Sequence, residues 1–148
     1  MDLVEKVEQD LAAALRSGNQ AVLGTLRLLK NSLNGAAKDK QADLTPEEAV
    51  KIVQKEIKQR REAAEGYRTG GREESAAKEE AEITILETYL PEQLSATEVE
   101  AIVDKAIADT GAATVQEMGK VMGVVNSQLA GKADMGQVSQ LVRSKLGG

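Results

Sequence analysis

Two groups of residues in this chain have the types and spacing to do chemistry, and for both the chemistry would be contact with phosphate, set against a purely structural reading. Over 51–61 the sequence reads KIVQKEIKQRR, and Lys51, Lys55, Lys58, Arg60 and Arg61 make the densest positive run in the chain. At helical spacing such a run can neutralise the phosphates of a nucleic-acid backbone. It can equally be a solvated helix face balanced by Glu47, Glu56, Glu62 and Glu65 nearby. The second group lies in MGKVMGVVNSQLAGKAD, residues 118–134. On a helical wheel Met118, Met122, Val125 and Leu129 form a buried arc, while Gly119, Gly123, Ser127 and Ala130 form a neighbouring strip of small residues with Lys120 at its edge. Gly131 and Lys132 follow directly. A glycine inside a helix costs about 1 kcal/mol relative to alanine, and what it offers in exchange is close approach of another backbone. Two occupants fit that strip: a neighbouring helix of the same chain, or the phosphate and ribose of an RNA held by Lys120 and Lys132.

Covalent and acid–base chemistry is much harder to assemble. Histidine, cysteine, tryptophan and phenylalanine are absent and only two tyrosines are present. That removes the imidazole base, the thiolate nucleophile or zinc ligand, and nearly every ring on which a base could stack. Gly119-Lys120 and Gly131-Lys132 are followed by Val121 and Ala133, so neither supplies the hydroxyl that ends a phosphate-binding loop. The serines stand outside any nucleophile-elbow context, and Glu79 and Glu80 read as part of an exposed charged helix. No catalytic residue, metal site or cofactor is expected.

The elements that must position these residues are all helical, because the hydrophobic period is close to 3.6 almost throughout. Leu3, Val7, Leu11 and Leu15 make one stripe, closed by Gly18; Val22, Leu26, Leu29 and Leu33 make the next, fading into a polar loop over 34–43. These two should pack as an antiparallel pair. Thr45, Pro46 and Glu48 announce a third helix that carries the basic run, with Ala49, Val50, Val53 and Ile57 on its apolar side. Gly70 and Gly71 interrupt it, and a fourth helix runs to about Thr88 with Ile83 and Leu86 inward. Pro91 cannot sit comfortably in a helix interior and disfavours helical geometry at Leu90, which sets the expected boundary between a lobe of about four helices over 1–90 and a small three-helix tail over 91–148. In the tail, Ser95, Thr114 and Asp134 are the expected caps, with Glu98 and Glu117 at capping-box positions and Gly111 and Gly131 as stops.

The net charge of -5 repels phosphate overall, so any nucleic-acid contact has to be local. The short glycine turn after Leu129 loosely resembles a helix-turn-helix, but the acidic balance of the tail weighs against a DNA reader. The first 18 residues lack the apolar core of a signal peptide, and no segment reaches the ~18 apolar residues of a membrane span. The expected location is cytoplasmic.

Taken together, KQRREAAEGYRTGGREESAAKEEAEITILETYLPEQLS, MGKVMG and GKAD give the chain a close resemblance, over essentially its full length, to the YqeY family. That family is similar to the C-terminal region of GatB, a subunit of the amidotransferase that converts glutamate or aspartate misacylated on tRNA into the amide. The resemblance implies an all-helical, two-lobed protein whose matching tail motif comprises Met118, Gly119, Lys120, Met122, Gly123, Gly131, Lys132, Ala133 and Asp134. Met135 separates Asp134 from Gly136 where the family commonly places glycine directly after the aspartate. In GatB this region helps hold tRNA, while catalysis belongs to other domains and subunits; the carbon–nitrogen ligase label attached to the family implies nothing that these residues can perform alone. The expected function is therefore a non-catalytic accessory that binds tRNA or another structured RNA. The alternative is a module that docks on a translation-related protein such as an aminoacyl-tRNA synthetase or an amidotransferase component.

Overall fold

The computed structural model describes residues 1–147, and all regular structure within them is helical. In chain order the elements are α1 (Leu3–Ser17), α2 (Gln20–Lys40), α3 (Pro46–Thr69), α4 (Glu73–Glu87), α5 (Ala96–Thr110), a 3-10 turn (Val115–Glu117), α6 (Met118–Leu129) and α7 (Met135–Lys145). The chain separates into two compact units, Met1–Leu90 and a second that begins at Pro91. Among the described residues no helix is long and apolar enough to cross a membrane.

The first unit is two helical hairpins. Gly18, at φ 75°, closes α1 by donating its N–H to the Ala14 carbonyl, and Asn19 caps α2 by accepting from the Val22 N–H. In α3 the Thr45 hydroxyl accepts from the Glu48 N–H at 3.2 Å while the Glu48 carboxylate accepts from the Thr45 N–H at 2.9 Å, a complete capping box. Gly71, at φ 75°, turns the chain back into α4. Val7, Leu26, Leu29, Leu33, Ala49, Val53, Ile57, Ile83, Leu86 and Tyr89 form the core. The Tyr89 hydroxyl donates to Asp10 and Lys6 lies 5.2 Å from the ring centroid, tying the end of α4 to α1. Burial, and then Asp10, push the phenol above its ordinary pKa.

Two expectations fail in this unit. Leu15 is 62% exposed, and Ala14 faces inward at that level instead, since antiparallel packing beside a tight turn selects position 14 over 15. The loop expected over 34–43 is mostly helix: α2 runs through Asn34 and Gly35 to Lys40, where Gln41 at φ 61° stops it. Half-buried Ala36 and Ala37 hold the extra turn, and Lys38 and Lys40 sit favourably at its negative end.

The second unit buries Val99, Val103, Ala106, Val121, Val125, Leu129, Val138, Val142 and Leu146. Ser95 caps α5, Gly111 ends it at φ 68°, and Asp134 caps α7 by accepting from the Gly136 and Gln137 N–H groups at 2.8 and 3.2 Å. Met135 before Gly136 therefore leaves the cap at Asp134 intact. At Thr114 the capping differs from expectation. Its hydroxyl takes no backbone N–H; instead Glu117 reaches back to accept from the Ala113 N–H at 3.0 Å, and a 3-10 turn precedes α6. That hydrogen bond, with the Lys120 charge behind it, holds the Glu117 carboxyl below its usual range.

Candidate nucleic-acid interface

The basic run lies on α3 and divides in two. Lys51, Lys55 and Lys58, spaced four and three apart, share one exposed face and make no ion pair among the described residues. Arg61 is also exposed and makes no ion pair among the described residues, but it stands in a groove between α3 and α4 with Glu65, Arg68, Glu80 and Glu87, whose carboxylates would compete with a phosphate.

Arg60 leaves the candidate site altogether. It is 8% exposed, and it continues the inward row of Ala49, Val53, Ile57 and Ala64. Its Nη1 donates to the Glu56 carboxylate at 2.8 Å and its Nε to Glu82 of α4 at 3.1 Å. Ser32 of α2 donates to Glu56 as well, so one guanidinium and two carboxylates join three helices. A cation buried in this way and neutralised by two carboxylates is not available to an outside phosphate. The sequence held the clue, because Arg60 sits three residues past Ile57 and four before Ala64 in the apolar stripe.

In the second unit the inward side of α6 is centred on Val121, Val125 and Leu129, with Met118 and Met122 only half-buried. The strip of Gly119, Gly123, Ser127 and Ala130 is exposed. A Cβ placed on Gly119 or Gly123 would meet nothing within 4 Å, so among the described residues no neighbouring helix of this unit fills the strip at the two glycines. That overturns the reading in which these glycines exist for internal packing. Lys120, with a side chain 67% exposed, is only loosely associated with Glu117 at 3.7 Å. Lys132 is exposed in the turn between α6 and α7, directly after Gly131 at φ 77°. Each of these positions belongs to one unit: Lys51, Lys55 and Lys58 to the first, the strip with Lys120 and Lys132 to the second.

Among the described residues no three carboxylates converge into a cluster able to bind a metal ion.

Known proteins of similar sequence include the altered inheritance of mitochondria protein 41, mitochondrial, of Pyrenophora tritici-repentis, 28% identical over 98% of this chain and 81% of that protein. An uncharacterized protein of Schizosaccharomyces pombe is 29% identical over 60% of this chain and 72% of its own length. The family model described as Yqey-like protein matches residues 4–146, nearly the whole of both units, and the chain belongs to the YqeY family.

Proposed function

We propose that this protein is a non-catalytic accessory of the cytoplasm that binds the backbone of tRNA or another structured RNA. One observation carries the reading: Lys51, Lys55 and Lys58 stay unpaired on one face of α3 in a chain of net charge -5, where carboxylates to pair with them are abundant. Unpaired cations in a row bind polyanions by releasing condensed counterions, which needs neither stacking rings nor base contacts. The open strip of α6, with Lys120 and Lys132 beside it, offers the second unit a surface where a backbone can approach closely. The same bare strip would also admit a helix of a translation-related protein, the second reading.

Filter binding of tRNA across a salt series tests this. Affinity should fall steeply with salt, and Lys51→Glu, Lys55→Glu and Lys58→Glu combined should lower the slope of log K against log salt by about 2 to 3, at roughly 0.7–0.9 per lost contact. A wild-type chain with no salt-sensitive RNA binding would refute the reading and leave the docking module.

A further inference from the structure

Two sequence segments that carry the family resemblance, YLPEQLS and GKAD, meet in the second unit. The Gln93 side-chain amide donates to the Pro91 carbonyl at 2.8 Å and to the Gly131 carbonyl at 2.7 Å. Next to it the Leu94 N–H donates to the Lys132 carbonyl at 2.9 Å, while the Lys132 N–H returns to Leu129 at 2.9 Å. Leu94 itself packs against the core of the unit. The two protons of one amide nitrogen thus match two carbonyls, and consecutive carbonyls of the α6–α7 turn are both held by the chain entering α5. No other residue type offers two neutral donors on so short a stem except asparagine, which is one methylene shorter.

We infer that Gln93 is a positioning residue for RNA binding: it fixes the Gly131–Lys132 turn so that the exposed Lys132 is presented in one place to a phosphate. The inference rests on the RNA-binding reading above. Gly131 is in the left-handed region and followed by an exposed lysine, a turn that would otherwise sample several conformations, and each costs ordering on binding. Holding both carbonyls lowers that cost before the ligand arrives. Gln93 is exposed, so removing its amide leaves the core untouched.

The test is a double-mutant cycle on the intact chain with Gln93→Ala, Lys132→Gln and both together, read as tRNA affinity across salt and as amide hydrogen exchange of Leu94 by NMR. Lys132→Gln should lower the slope of log K against log salt by about 1 because it removes a phosphate contact, Gln93→Ala should lower affinity at every salt concentration, and the double variant should bind no more weakly than Lys132→Gln alone. Exchange at Leu94 should rise about fivefold in Gln93→Ala and stay at the wild-type rate in Lys132→Gln, with far-UV circular dichroism unchanged in all. Unaltered Leu94 exchange or unaltered affinity in Gln93→Ala, or additive losses of affinity in the double variant, would overturn the positioning role while wild-type binding stands. A wild-type chain that binds no RNA overturns the functional reading and this role with it.

Discussion

Replacing Arg60 by methionine keeps most of the apolar stem and removes only the guanidinium, which isolates the charge network inside the first unit. Glu56 and Glu82 would then face each other across a place where their side chains are only 16% and 21% exposed. Removing one partner from a fully buried ion pair costs about 3–5 kcal/mol, most of it from the charge left behind. Because both carboxylates keep some water, the lower end applies, and the expected loss is about 3 kcal/mol. Both tyrosines lie in the first unit, so tyrosine fluorescence during urea unfolding reads that unit, while circular dichroism reads the whole chain. The companion variant Glu56→Gln, Arg60→Met, Glu82→Gln removes the stranded charges and should recover most of the loss, since neutral replacement of a whole buried network is often nearly free. A loss below about 1 kcal/mol for Arg60→Met alone would refute the reasoning. So would a triple variant as unstable as the single one, because the cost would then not arise from uncompensated carboxylates.

Two further outcomes follow from local geometry. Gly123→Ala should stabilise the protein by about 0.5–1 kcal/mol, seen as a small rise in melting temperature, since the new methyl meets no atom within 4 Å; Gly123→Leu should remain folded but weaken tRNA binding, and equal affinity in the leucine variant would take the strip out of the interface. The Glu48 carboxyl is held down from 4.5 to about 2, first by the Lys40 ammonium and then by the Thr45 N–H. A depressed acid contributes stability above its unfolded pKa and loses it on protonation, so the melting temperature of wild type should converge on that of Glu48→Gln as pH falls from about 4.5 to 2, and less so in high salt. Parallel curves through that window would contradict it.

What could be read from the sequence was what is decided within a few residues. Thr45, Ser95 and Asp134 cap their helices because each places a side-chain oxygen against N–H groups two or three residues on, a contact that needs no knowledge of the rest of the chain. Gly18 and Gly111 end theirs for an equally local reason, a positive φ. The misses depended on partners distant in sequence. Whether Leu15 or Ala14 faces inward is settled by α2, and whether Asn34 and Gly35 end a helix is settled by what Ala36 and Ala37 can pack against. Arg60 illustrates both levels at once. Its place in the apolar stripe was visible, but Glu82, which makes that place tolerable, arrives from another helix.

An acidic protein that grips a polyanion must do so with the cations its own carboxylates leave alone, and ion pairing sorts them. Lys40, Arg60, Arg68 and Lys145 are engaged by Glu48, by Glu56 and Glu82, by Glu73 and Glu80, and by Glu100 and Asp104. Lys51, Lys55, Lys58 and Lys132 have no such partner among the described residues; Arg16, Arg27, Lys30, Lys38, Arg61, Lys78 and Arg143 have none either, and what sets the first three apart is their row on one face of α3. The glycines of α6 point the same way from the side of stability. Gly119 and Gly123 each forgo about 1 kcal/mol relative to alanine, and among the described residues no atom comes within 4 Å of where a Cβ would stand on either. A lysine row without counter-charges in the first unit and bare glycines where nothing packs in the second are both poor choices for an isolated fold, and each by itself is what the RNA-binding reading proposed above requires of its unit.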